Sequence, residues 1–182
     1  EDVYQSITVV GHVFNQGEVS QADLVNREYW EDWAIVKLER PVTNRRPIDI
    51  RDLRITAGER VAAIGHPMGV PTKVTGGEVF DASHRHYVNT DLDIYQGNSG
   101  SVVADENGDA VGIVIRGSGG NSYVETANGC FMSRECDGID TSSGSKCVGN
   151  HVMRADVLKP FVDPSIQQEI VNQVPTAGAI PN

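Results

Sequence analysis

The residue of this chain best placed to act as a nucleophile is the serine of Gly97-Asn98-Ser99-Gly100. Glycine at 97 admits backbone dihedrals closed to other residues and lets a carbonyl approach the main chain, so the amides of Gly97 and Ser99 can both point at one oxygen. That arrangement is an oxyanion hole with its nucleophile built in, and it serves acyl transfer. The same four residues also make an ordinary hairpin turn, so the tetrapeptide alone does not separate a catalytic serine from a structural one. Ser101-Val102-Val103 follows directly, an apolar run of strand type.

A second stretch, Glu31-Asp32-Trp33-Ala34-Ile35-Val36-Lys37-Leu38 with Pro41 after it, places a carboxylate at the start of another apolar strand. Here the chain resembles the trypsin/chymotrypsin-like serine peptidases, especially their bacterial branch related to glutamyl endopeptidases. In that family an Asp-(apolar)-Ala-(apolar)-(apolar)-x-Leu segment carries the triad aspartate, and Gly-Asn-Ser-Gly carries the nucleophile. A third segment, Val111-Gly112-Ile113-Val114-Ile115-Arg116-Gly117-Ser118-Gly119, looks like the strand and loop lining the specificity pocket. The resemblance implies Asp32 as triad carboxylate, Ser99 as nucleophile, and the Gly97 and Ser99 amides as oxyanion hole. It implies a substrate pocket from Asp93, Ile94, Val114, Ile115, Arg116, Gly117 and Gly119. No cofactor or metal is implied.

Asp93, six residues before Ser99, stands where the resemblance puts the base of a trypsin-type pocket. A buried carboxylate there favours Lys or Arg before the cut, since an unpaired charge in a closed pocket needs its opposite. The other reading is an aspartate that bonds backbone in the Asp91-Leu92-Asp93 turn. Glutamate-selective relatives use a histidine where this chain has Val114, which argues against glutamate specificity. Asn98 replaces the aspartate that vertebrate digestive members pair with a freed N-terminus, and a neutral amide does not form that ion pair.

Ser99 needs a base, and the family supplies a histidine upstream of the aspartate. His12 is the sole histidine before Asp32, lies in a strand, lacks the family's Thr/Ser-Ala-x-His context, and is twenty residues from Asp32. It reads as a solvent-facing strand residue. His66 reads as structural, in a turn. His84 and His86 alternate, which puts both on one strand face, with a metal or pocket role and an exposed-turn role as the alternatives. His151 opens a strand near the pocket. The expectation is that the base belongs to an N-terminal segment outside this chain, processed into a separate piece or removed, with Glu1 a processed or truncated start.

The 182 residues, with a formal charge of −10, fit one average domain or two small barrels. Acidity argues against nucleic acid and anionic membranes as partners, and no apolar run approaches the roughly 18 residues of a membrane span. A protein or peptide substrate and the N-terminal fragment of the same precursor are the expected partners. Cys130, Cys136 and Cys147 share one Gly/Ser/Asp-rich loop, which suggests a disulfide of unassigned pairing and a secreted or periplasmic protein. Zinc is the rival reading, from the four-residue offset of Cys147 and His151, but the other offsets do not resemble a knuckle.

Short apolar runs separated by turn residues predict an all-β chain. Strands are expected over 3–14, 33–38, 60–64, 73–80, 87–89, 101–104, 110–115 and 151–155, and a helix over 164–174 with an extended tail after it. The resemblance arranges these as two packed six-stranded antiparallel barrels with a C-terminal helix. Residues 1–42 form the C-terminal part of the first barrel, 43–59 the connection, 60–163 the second barrel, and 164–182 the helix and tail. The first barrel is incomplete in this chain. The function expected is a serine endopeptidase working through an acyl-enzyme. A catalytically inactive peptidase-like binding protein and an esterase are the rivals.

Overall fold

A computed structural model describes residues 3–14, 31–117, 123–133 and 150–162. Its centre is a closed antiparallel barrel of six strands: β3 (Arg60–Gly65), β4 (Lys73–Asp81), β5 (Tyr87–Thr90), β6 (Val102–Asp105), β7 (Ala110–Arg116) and β10 (Asn150–Arg154). They close in the order β10-β5-β4-β3-β6-β7. Two further pairs stand apart as two-stranded sheets, β1 (Ser6–Phe14) with β2 (Asp32–Leu38), and β8 (Tyr123–Glu125) with β9 (Phe131–Ser133). Closure removes the open edges that a flat six-stranded sheet would leave in water.

The barrel closes because β-branched residues alternate inward. Val61, Val79, Val88, Val103, Val111, Val114 and Val152 meet Leu92, Ile94 and Ile55 in one buried cluster. Each fully buried side chain of this kind contributes about 1.5–3 kcal/mol. Gly112 permits the tight seam between β7 and β10, since a Cβ there would lie 2.4 Å from the Met153 carbonyl oxygen. At the end of β10, the fully buried Arg154 donates to the carbonyls of Ile55 at 2.9 Å, Ala82 at 2.6 Å and His84 at 3.2 Å. Burial pushes this guanidinium below its usual value and the Arg54 charge adds to that, while Asp156 and Asp81 pull the other way.

The N-terminal pair is a two-stranded sheet, and its cross-strand partners Val9 and Val36 are both exposed, as is Ile7. The six barrel strands and this pair fall where the sequence predicts them, with ends moved by at most one residue except at the start of β1, which is three residues later. Two features differ. A hairpin, β8–β9, stands in the cysteine-bearing loop where no strand was expected. A single helical turn, α1 (Lys159–Val162), follows β10. The helix expected over 164–174, Cys136, Cys147 and Gly119 lie outside the described residues, and Cys130 is exposed with a free thiol.

Replacing Arg154 by Met leaves three carbonyls without their donor and lowers unfolding free energy by about 3–5 kcal/mol. Urea denaturation checks this, and an unchanged midpoint contradicts it. On the barrel's outer edge, the Arg51 guanidinium bonds Glu59 at 2.5 Å and holds its carboxyl below the ordinary value, against desolvation and with help from Thr56. A lowered folded pKa adds stability above the unfolded value and loses it as pH falls. The stability gap between wild type and Arg51→Met therefore shrinks as pH drops below 4.5, the ordinary carboxyl value.

Candidate functional site

The nucleophile turn is built by steric permission before any chemistry. Gly97 has φ +93° and Gly100 φ +82°, a region that favours glycine. A Cβ on Gly97 would lie 2.9 Å from the Met68 nitrogen and 3.2 Å from the His66 oxygen, so the turn rests backbone against backbone on the 66–69 loop. Met68 donates its N–H to the Gln96 carbonyl at 2.7 Å and is itself held at φ 54°, ψ 21°, a strained conformation for a residue with a Cβ. Two short bonds fix that loop, Gly69 N to His66 O at 3.2 Å and Val70 N to Pro67 O at 3.0 Å.

Within the turn the amides divide into two sets. Asn98 N donates to Tyr95 O at 3.1 Å, Gly100 N to Val114 O at 2.7 Å, and Ser101 N to Asn98 O at 2.9 Å. The Gly97 and Ser99 amides have no acceptor among the described residues. Those two are the donors the sequence assigns to an oxyanion. Ser99 is exposed, and its hydroxyl likewise has no partner among the described residues. Gly65, at the end of β3, completes the fit: a Cβ there would meet Ser101 Oγ at 2.2 Å and Asn98 Oδ1 at 2.6 Å.

Asp32 opens β2, half-buried, beside the buried Trp33. Its carboxylate has no hydrogen bond among the described residues. The preceding residue ties this strand to the barrel, because the Glu31 carboxylate contacts His86 Nδ1 at the foot of β5. His86 belongs to the 82–86 turn that Arg154 clasps, and its carbonyl accepts from Arg154 N at 2.9 Å. The chain thus runs an unbroken set of contacts from the barrel seam to the start of β2.

No described histidine bonds to Ser99 or Asp32. His12 is exposed on β1 and pairs in register with Ala34. His66 spends both ring nitrogens in its own loop, on Val70 O at 3.2 Å and Thr72 Oγ1 at 3.3 Å. His84 contacts Asp81 at 3.3 Å and stacks on Tyr87, and His151 is buried with its ring against the Tyr87 edge.

Of the residues expected to form one substrate pocket, all but Gly119 are among the described residues. Ile94 and Val114 are in the barrel core. Gly117 packs on Ile94, 3.0 Å from its carbonyl oxygen to a Cβ position, with Ile115 half-buried and Arg116 exposed. Asp93, half-buried between the buried Leu92 and Ile94, lines a cavity together with Lys73, Thr75 and Tyr95. Its backbone N–H donates to Thr75 Oγ1 at 3.2 Å. The 66–69 loop and the Glu31–His86 contact are parts of the site that the sequence did not reveal. A cluster of Gly, Pro and Met in Gly65-His66-Pro67-Met68-Gly69 was the available signal for the loop.

Residues 2–113 match the family described as a trypsin-like peptidase domain. A probable periplasmic serine protease, do/HhoA-like, of Haemophilus influenzae is 32% identical over 124 residues, covering 61% of this chain and 26% of the relative. The periplasmic serine endoprotease DegP of Escherichia coli is 28% identical over 132 residues, 65% of this chain and 27% of the relative. The chain spans about a quarter of the length of these relatives. Among solved structures, the HtrA-type protease AlgW with decapeptide shares the fold at a TM-score of 0.52 and 18% identity, over 91% of this chain and 40% of that one.

The packing of the turn is tested by comparing two glycines of like φ. Gly97→Ala meets backbone at 2.9 Å, whereas Gly58→Ala, at φ +88°, meets nothing within 4 Å. Backbone strain alone costs about 1–3 kcal/mol. Gly97→Ala therefore lowers Tm by several degrees more than Gly58→Ala does, read by thermal unfolding, and equal shifts would show that the turn does not rest on the 66–69 loop.

Proposed function

Because the chain belongs to the trypsin-like peptidase domain family, we propose that it is the larger part of a serine endopeptidase whose catalytic base is supplied from outside residues 1–182. The observation that carries this is the division of amides in the nucleophile turn, with the Gly97 and Ser99 N–H groups left without an acceptor among the described residues beside an exposed serine. Ser99 Oγ bonds to the scissile carbonyl carbon as its proton passes to an imidazole. The Gly97 and Ser99 amides hold the oxyanion, the carbon–nitrogen bond breaks, and the imidazole returns the proton to the leaving amine. Water then releases the acyl group. Asp32 orients the imidazole, and its carboxylate, with no hydrogen bond among the described residues, suits that task.

The histidine comes on an N-terminal fragment of the same precursor, and residues 1–42 are the last part of the barrel it completes. The apolar face of Ile7, Val9 and Val36 is the surface such a fragment would cover, since an edge and face of this kind are costly in water. Secretion to the periplasm or beyond accords with the relatives named above, and the substrate is a protein or peptide.

A fluorophosphonate probe, which needs an activated hydroxyl, tests the reading. The chain alone labels slowly at Ser99, added imidazole accelerates labelling, and Ser99→Ala abolishes it. Labelling that persists in Ser99→Ala removes Ser99 as nucleophile. A wild-type chain inert with and without imidazole, while the fold is intact by circular dichroism, makes it a peptidase-like binding protein instead.

A further inference from the structure

The connection between β2 and the barrel is anchored at its two ends and open to solvent between them. Glu39 N–H donates to Gln5 O at 2.9 Å alongside the end of β2, and Asp49 O accepts from Ala110 N–H at 2.8 Å where the chain joins the barrel. Residues 39–49 are all exposed, and none belongs to a helix or strand. Side chains tether the segment at the surface, Tyr4 Oη donating to Asn44 Oδ1 at 3.2 Å and Arg46 meeting Asp49 at 3.2 Å, contacts of a kind that hold weakly in water. Exposed backbone of this sort is where folded chains are nicked, because an endopeptidase must draw its substrate out in extended form.

Three arginines lie in this segment, and Arg40 and Arg46 are each followed by a proline, Pro41 and Pro47. A proline nitrogen carries no hydrogen and its ring crowds the bond before it, so those two bonds resist an arginine-directed peptidase. The Arg45–Arg46 bond is the one left open. Basic residues elsewhere are worse placed: Lys37 and Arg60 lie in strands, Arg154 is buried, and the exposed Arg85 has its carbonyl bonded by Arg54 at 3.0 Å. We propose that Arg45–Arg46 is a cleavage site for an arginine-directed endopeptidase, and that cleavage there releases the β1–β2 pair from the barrel. The Arg45 carbonyl carbon parts from the Arg46 nitrogen, and one water supplies the oxygen of the new carboxyl and the hydrogen of the new amine. β1 and β2 pair with each other and with no barrel strand. No cysteine precedes Cys130, so no disulfide can hold the released piece. The Glu31–His86 contact is then an isolated surface tie, and its loss carries Asp32 away from Ser99. Cleavage is read by mass and needs no activity of this chain, so the site stands apart from the peptidase reading.

Brief digestion of the native chain with trypsin, followed by mass spectrometry and gel filtration, is the test. Of the bonds after described Lys and Arg residues, Arg45–Arg46 should be cut first, giving one peptide that ends at Arg45 and another that begins at Arg46. The two should elute separately. Arg45→Gln should abolish this cut, and Arg45→Gln with Pro47→Ala should restore cleavage one bond later, after Arg46, because the proline no longer protects it. Both substitutions replace exposed side chains, so the barrel stays folded, which circular dichroism checks. First cleavage at another described basic residue, an undiminished cut in Arg45→Gln, no cut after Arg46 in the double variant, or co-elution of the two peptides overturns the proposal.

Discussion

Arg154 places a full positive charge where water does not reach it, and the carbonyls of Ile55, Ala82 and His84 are what make that tolerable. No carboxylate forms an ion pair with it among the described residues, so the charge is met by dipoles. Those dipoles come from the connection before β3 and from the turn before β5, two segments that Arg54 also joins by donating to the carbonyls of His84 at 2.9 Å and Arg85 at 3.0 Å. Once the Arg154 guanidinium is seated, the end of β10, the 82–86 turn and the connection have one arrangement. His86 is then fixed, and with it the contact to Glu31 that sets the first residue of β2 against the barrel.

At the opposite side of the chemistry the governing term is space. Gly65 and Gly97 are required because each has protein atoms where a Cβ would stand, and Met68 accepts a strained backbone so that its N–H can reach Gln96. Strain of this kind persists only where the surroundings over-determine it. The reward is a turn in which the amides of Asn98, Gly100 and Ser101 are bound, while those of Gly97 and Ser99 have no acceptor among the described residues. The proposed oxyanion role asks for donors that are not already used, and the two amides without an acceptor among the described residues are compatible with it.

Much of this fold was legible because period-two apolar patterns and turn residues are local signals. The six barrel strands and the β1–β2 pair follow from them, and Gly97 and Gly100 announced a turn with left-handed backbone. What sequence did not show is contact between distant segments. Nothing in Glu31 or His86 marks them as partners, and no pattern says that Arg154 will find Ile55 across 99 positions. The β8–β9 hairpin escaped because three-residue strands in a Gly/Ser loop are shorter than any periodicity that could reveal them.

The β1–β2 pair also makes the chain sensitive to concentration. Its two strands are joined by 17 residues, and the pair presents an exposed apolar surface through Ile7, Val9 and Val36. A second copy of the same pair offers an equally apolar surface, and its concentration grows with every molecule made. The formal charge of −10 spaces copies apart. Encounters between copies through this face are bimolecular, so their frequency is set by concentration more than by the depth of the native energy well.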